Sequence, residues 1–133
     1  MIFDTSILIY AARGYEAAKS MILNTPERAI SAVTYMEFVP FCRNKQELKH
    51  FEKMLENQQF KIYEIDPQIS INARSYTKQF ALSHSVEMGD ALIAATAVRY
   101  GETLCTTNLK HFKPISGIEL HNAAIDGEFR EIR

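Results

Sequence analysis

The chain has 133 residues and little of what would hold a fold together other than packing. It has two cysteines, Cys42 and Cys105, and they form no CxxC pair. A disulfide scaffold and a zinc framework are therefore excluded, and this sparse usage fits a reducing, cytoplasmic setting. There are five glycines and no Gly/Ser run, so no flexible linker divides the chain. No apolar stretch approaches the roughly 20 residues of a membrane span. The apolar start, Met1 to Ala12, contains Asp4 and lacks a basic flank, which excludes a signal peptide. Excess charge of either sign is also missing. The formal net charge is −1, so any nucleic-acid contact has to come from a local basic patch.

The chain does have apolar residues in ordinary proportion, 47% against 23% charged, which is enough for one real core and argues against disorder. With no repeat and no shift in composition, the expectation is a single domain over residues 1–133.

The pattern alternates short strands with helices. Met1 to Phe3 reads as a strand, Thr5 to Ala12 and Tyr15 to Leu23 as helices, and Asn24-Thr25-Pro26 as a break. Arg28 to Ser31 reads as a strand, and Thr34 to Cys42 as a helix bent at Pro40. Gln46 to Glu56 carries Leu48, Phe51 and Leu55 at helical spacing. Phe60 to Ile65 alternates as a strand. Asp66-Pro67 has the form of a helix start, followed by Ile69, Ala73, Tyr76 and Phe80 on one face. A helix opened by Asp90 runs to Gly101, and Thr103 to Thr106 and Ile118 to His121 are further strands. Strands separated by helices predict an α/β fold of three layers, with a central, mostly parallel sheet of about four to five strands.

Three acids stand at strand-to-helix junctions. Asp4 follows Met1-Ile2-Phe3, Glu37 lies one turn beyond the second strand, and Asp90 opens an uncharged run of small and aliphatic residues, Ala91 to Val98. In a parallel sheet these junctions fall beyond the carboxyl ends of the strands, where ligand sites form. Asn108 directly follows the Thr103–Thr106 strand. Each position also has a plain structural reading. Asp4 would cap the helix from Thr5, and Thr34 with Glu37 makes a Thr-x-x-Glu capping box. Asp90 would complement the helix dipole, and Asn108 would cap the turn before Phe112. Capping alone leaves unexplained why these positions on one sheet edge are acidic.

Four segments carry a resemblance: Ile2-Phe3-Asp4-Thr5-Ser6, Thr34-Tyr35-Met36-Glu37, Gly89-Asp90-Ala91-Leu92-Ile93-Ala94-Ala95-Thr96-Ala97, and Thr106-Thr107-Asn108-Leu109-Lys110-His111-Phe112. In order and spacing, from Met1 to about Leu120, they resemble the motifs of PIN-domain ribonucleases. The likeness is to the small VapC-type toxins of toxin–antitoxin pairs. The resemblance implies a PIN-like fold and a metal-dependent endoribonuclease, with Asp4, Glu37, Asp90 and Asn108 as catalytic positions. Asp4, Asp90 and Glu37 would serve Mg²⁺, with Mn²⁺ an alternative, because hard oxygen ligands suit hard cations. Many family members have an acid at or near Asn108, so the amide here puts a tightly held second metal in doubt. Glu87 is a possible replacement charge, although a solvent-facing position is the plainer reading.

Ser6 and Thr106, then Thr5 and Thr107, are candidates to hydrogen-bond the acids. Lys110 and Arg13 are candidates for RNA contact. The row Lys45, Lys49, Lys53 reads first as a solvated helix face paired with Glu52 and Glu56. Histidines 50, 84, 111 and 121 read as surface residues, with His111 the one possible exception. The resemblance further implies an antitoxin partner, VapB-like, seated on apolar helices around Ile9, Phe38, Phe41 and Phe51, and a homodimer. Rival readings are a housekeeping PIN nuclease and a silent PIN module that binds RNA or protein. A haloacid dehalogenase-type phosphatase needs Asp-x-Asp, where this chain has Ser6. A receiver domain would need paired acids after the first strand.

Overall fold

The computed structural model describes residues 1–123. Residues 124–133, part of the expected single domain, lie outside the described residues. The order of elements is β1 (Ile2–Phe3), α1 (Thr5–Ala12), α2 (Glu16–Leu23), β2 (Ala29–Ser31) and α3 (Ala32–Phe38). These are followed by a 3-10 turn (Val39–Phe41), α4 (Lys45–Asn57), β3 (Lys61–Tyr63), α5 (Pro67–His84), α6 (Met88–Tyr100), β4 (Leu104–Thr106), α7 (Leu109–Phe112) and β5 (Leu120–Asn122). The five strands form one sheet in the order β3-β2-β1-β4-β5, and every pairing is parallel.

Strand alternation builds the three layers. Phe3, Ile30 and Cys105 face one side, where α1, α2 and α4 supply Ile7, Leu8, Ile22 and Phe51. Ile2, Ala29 and Leu104 face the other, against Ile93, Ala94 and Ala97 of α6. On the outside of α6, Ala91 and Ala95 meet Ile69 and Ala73 of α5. This explains why α6 is small all round: it lies between the sheet and another helix, and only short side chains allow that approach.

Most boundaries follow the sequence. Asp66 caps α5 by accepting from Ile69 N at 2.8 Å, with Pro67 first in the helix. Gly101 ends α6 in the left-handed conformation at φ 62°. The expected Thr34 helix start is corrected: Ser31 is the cap, accepting from Val33 N at 3.0 Å, and α3 begins at Ala32. Pro40 lies in the 3-10 turn that ends this segment, because proline offers no N–H to continue an α-helix. Strand β3 is shorter than expected, Lys61–Tyr63. Arg28 ties the opposite sheet edge together, donating to the carbonyls of Ile22, Leu23 and Gln58 at the ends of α2 and α4. Among the described residues no helix is long and apolar enough to cross a membrane.

The strand order contains a switch point. From β1 the chain steps outward to β2 and β3, then returns to the other side of β1 as β4. Loops leaving β1 and β4 therefore diverge at their carboxyl ends and leave a crevice between them.

Candidate active site

That crevice is where the buried polar residues lie. Apart from Thr25 and Thr96, the fully buried polar side chains are Asp4, Thr5, Ser6, Ser31, Thr34, Asp90, Thr106, Asn108 and His111, all at the carboxyl edge of the sheet. Burying polar groups costs free energy unless each is matched, so such a concentration marks a built site.

Asp4 is 0% exposed and caps α1, its Oδ1 accepting from Thr5 N at 2.8 Å. Its other oxygen accepts from Thr106 Oγ1 at 2.9 Å and from Ser6 Oγ at 3.3 Å. Each hydroxyl is itself held. Asn108 N donates to Thr106 Oγ1 at 2.9 Å, and Thr107 Oγ1 donates to Ser6 Oγ at 3.1 Å. Two relays, both anchored in the loop after β4, thus fix the carboxylate after β1.

Glu37 reaches the same place from α3. Thr5 Oγ1 donates to Glu37 Oε1 at 2.6 Å and lies 3.1 Å from the Thr34 hydroxyl. Because Ser31 serves as the cap, Thr34 and Glu37 are free to turn inward. Glu37 also touches the first turn of α6. A Cβ placed on Gly89 would lie 2.5 Å from Glu37 Oε2, so only glycine leaves the carboxylate where it stands. Asp90, next in the chain and 0% exposed, is a first-turn acid rather than the first residue of its helix. Its Oδ2 is 3.4 Å from Glu87 N and 3.4 Å from His111 Nδ1. Glu87 is exposed.

Asn108 stands at the start of α7, but its side chain makes no capping bond. Its Nδ2 and the Nδ1 of His111 are buried without a hydrogen-bond partner. His111, the one histidine the sequence sets apart from the surface, is 8% exposed and lies beside Asp90. Lys110 is exposed on the same short helix. Arg13 is not brought to the acids. It ends α1, roughly 12 Å of helix away from Asp4, with its guanidinium 5.3 Å from the Phe41 ring. Lys45, Lys49 and Lys53 are exposed, while Glu52 accepts from Tyr35. Sequence reasoning quoted Gly89 within a motif but gave it no role of its own. The signal for it was a glycine one residue before the acid, in a helix otherwise free of glycine.

The donor set is oxygen-rich: two buried carboxylates, the half-buried Glu37 and an amide. Such donors, with two orphaned polar groups beside them, fit a hard divalent cation. Among the described residues no three His, Cys, Asp or Glu are grouped closely enough to cage an ion. An ion here would be held by one or two carboxylates, with water and phosphate completing its shell.

Buried acids in the crevice at the β1/β4 switch point of a parallel α/β/α sandwich stand where this class of fold forms its ligand sites. The family model for the PIN domain matches residues 1–116, and the chain belongs to that family. The expected likeness to VapC-type members is borne out among solved structures. One is a toxin–antitoxin complex from Klebsiella pneumoniae, 28% identical, covering 92% of this chain and 96% of that chain at TM-score 0.74. VapBC-1 from nontypeable Haemophilus influenzae is 21% identical, covering 93% and 99%, TM-score 0.74. VapBC2 from Rickettsia felis, bound to a DNA fragment from its promoter, is 23% identical, covering 92% and 98%, TM-score 0.70. No curated protein matches the sequence.

Proposed function

We propose that this PIN-domain protein is a divalent-cation-dependent endoribonuclease and the toxin of a toxin–antitoxin pair. The observation that carries the nuclease reading is the double relay onto Asp4, which holds a buried carboxylate rigid at the switch point. Asp4 and Asp90 would hold Mg²⁺ or Mn²⁺. When bound, the cation polarises the scissile phosphate and makes its water a stronger nucleophile at neutral pH. Glu37, held by Thr5, would orient the attacking water and take up its proton. Ser6 and Thr106 keep Asp4 in one rotamer, and Lys110 at the rim offers a cation to the RNA backbone. The test is cleavage of RNA with and without Mg²⁺, comparing the natural chain with Asp4→Asn. Loss of cleavage on chelation and in the variant is expected. Cleavage that persists in both would refute the reading, and an inert natural chain would favour a silent binding module.

The toxin reading rests on the Klebsiella complex and on a groove of about 1120 Å³ on the α1, α2 and α4 side of the sheet. Phe38 and Phe51 are buried and form its apolar floor, with Phe41 and Arg13 at the wall. An antitoxin helix would seat there, and an arginine on its arm would neutralise the acids. Phe41→Asp should weaken capture of the antitoxin encoded beside this gene while sparing RNA cleavage. Exposed Met36 and Met88, next to Glu37 and Gly89, offer an apolar surface for a second copy of the chain.

A further inference from the structure

We propose that His111 supplies a nitrogen ligand to the cation of this site, beside Asp90, and that the site for this reason prefers Mn²⁺ to Mg²⁺. The inference rests on the cation-dependent reading above and adds a ligand outside its carboxylates.

His111 is buried at 8% exposure, on a short helix anchored by the fully buried Phe112. Its backbone N–H donates to Asn108 O at 3.1 Å, which fixes the turn. Its Nδ1 has no hydrogen-bond partner and stands 3.4 Å from Asp90 Oδ2. That separation is too long for a strong hydrogen bond. It is close to the separation of two neighbouring ligands on one ion. At metal–ligand distances of about 2.1 Å, two donors at the right angle of an octahedral shell lie roughly 3.0 Å apart, so a shift of a few tenths of an ångström brings both onto one cation. A buried ring nitrogen left unmatched is costly, so the geometry calls for a partner.

Asn108 reinforces the argument. It lies one turn before His111 on the same segment, and its amide nitrogen is also buried without a partner. A half-turn of the amide exchanges its oxygen and nitrogen, so Asn108 can present the oxygen, the atom able to ligate an ion. The two residues thus bring neutral donors to a place where an acid would bring charge. Mg²⁺ relies on charged oxygen and dehydrates reluctantly, whereas Mn²⁺ binds N/O sites in the transition-metal series. A site with Asp90, an imidazole and an amide is therefore biased toward Mn²⁺.

The experiment uses the full chain, MnCl₂ and MgCl₂. Calorimetry should give the natural protein an Mn²⁺ affinity at least about tenfold above that for Mg²⁺. Electron spin-echo modulation of the Mn²⁺-bound protein should show a directly bound ¹⁴N. Incorporation of ¹⁵N-histidine should replace that signal, which assigns it to histidine with no substitution at all. His50, His84 and His121 are exposed, so His111→Gln should then remove it. The same variant should lower Mn²⁺ affinity about tenfold and leave Mg²⁺ affinity within about twofold. Bound Mn²⁺ without nitrogen modulation, or modulation that survives in His111→Gln, overturns the proposal while leaving a carboxylate site intact. If neither cation binds, this proposal and the cation-dependent nuclease reading fall together.

Discussion

Gly89→Ala should separate activity from stability, because the added methyl enters the site rather than the core. The new Cβ would lie 2.5 Å from Glu37 Oε2 and 3.3 Å from its carboxyl carbon, whereas ordinary contact begins at 3.4 Å. The carboxylate must retreat by about 0.9 Å. That movement has to be taken up in the 2.6 Å bond from Thr5. Displacement of a catalytic group by about 1 Å can cost on the order of 100-fold in rate. Stability moves the other way. Alanine improves on glycine by up to about 1 kcal/mol within a helix, less in a first turn. The clashing atom is the end of a flexible, half-buried side chain, so its retreat is cheap. Cleavage of a fluorescent RNA should therefore fall about 100-fold, while the thermal midpoint holds or rises. Glu37→Gln should fall comparably. Activity in Gly89→Ala within about threefold of the natural protein would show that the position of Glu37 is irrelevant. A drop of more than about 2 kcal/mol in stability would show that Glu37 is not free to move.

Asp4→Asn should abolish cleavage yet fold normally, since asparagine caps a helix as well as aspartate does; circular dichroism melts without metal should give a midpoint equal to or above that of the natural protein. Asn108→Asp should tighten Mg²⁺ in calorimetric titration by restoring a negative charge, and unchanged or weaker affinity would assign Asn108 to the turn alone. Acid stability should depend on Glu102. Burial opposes its ionisation, but the Met1 ammonium at 2.9 Å and the Tyr63 hydroxyl outweigh this and hold its pKa below the usual value of 4.5. A carboxyl with a depressed folded pKa adds stability above its unfolded pKa and loses it as pH falls through the folded one. The melting temperature should thus decline below about pH 4.5, and Glu102→Gln should flatten that decline. At the other extreme, burial and then Glu102 push Tyr63 up to about 12, so its ultraviolet titration should begin above that of exposed tyrosines.

The layers, the parallel sheet and the placing of Asp4 and Asp90 were legible because strand-end position and helix composition are local properties. The Asp66-Pro67 start and the Gly101 stop were legible for the same reason. The start of α3 was not. Ser31 and Thr34 both match a capping pattern, and only the tertiary demand of Thr5 and Glu37 decides between them. The roles of Gly89 and His111 were not legible because they lie between elements. One is defined by an atom on α3 and the other by an atom on α6, and no periodicity within their own segments reports either.

The bond from Thr106 to Asp4 spans 102 positions of sequence. A ribosome makes Asp4 almost first and Thr106 late, and β4 is the strand that carries the hydroxyl back to β1. Pairing at such separation is slow and comes after local structure. A growing chain therefore holds a loose, unsupported aspartate until β4 has been made, and the site closes only then. On the proposed toxin reading, this order of synthesis would keep the nascent protein harmless to the RNA around it and set the interval in which an inhibitor has to be waiting.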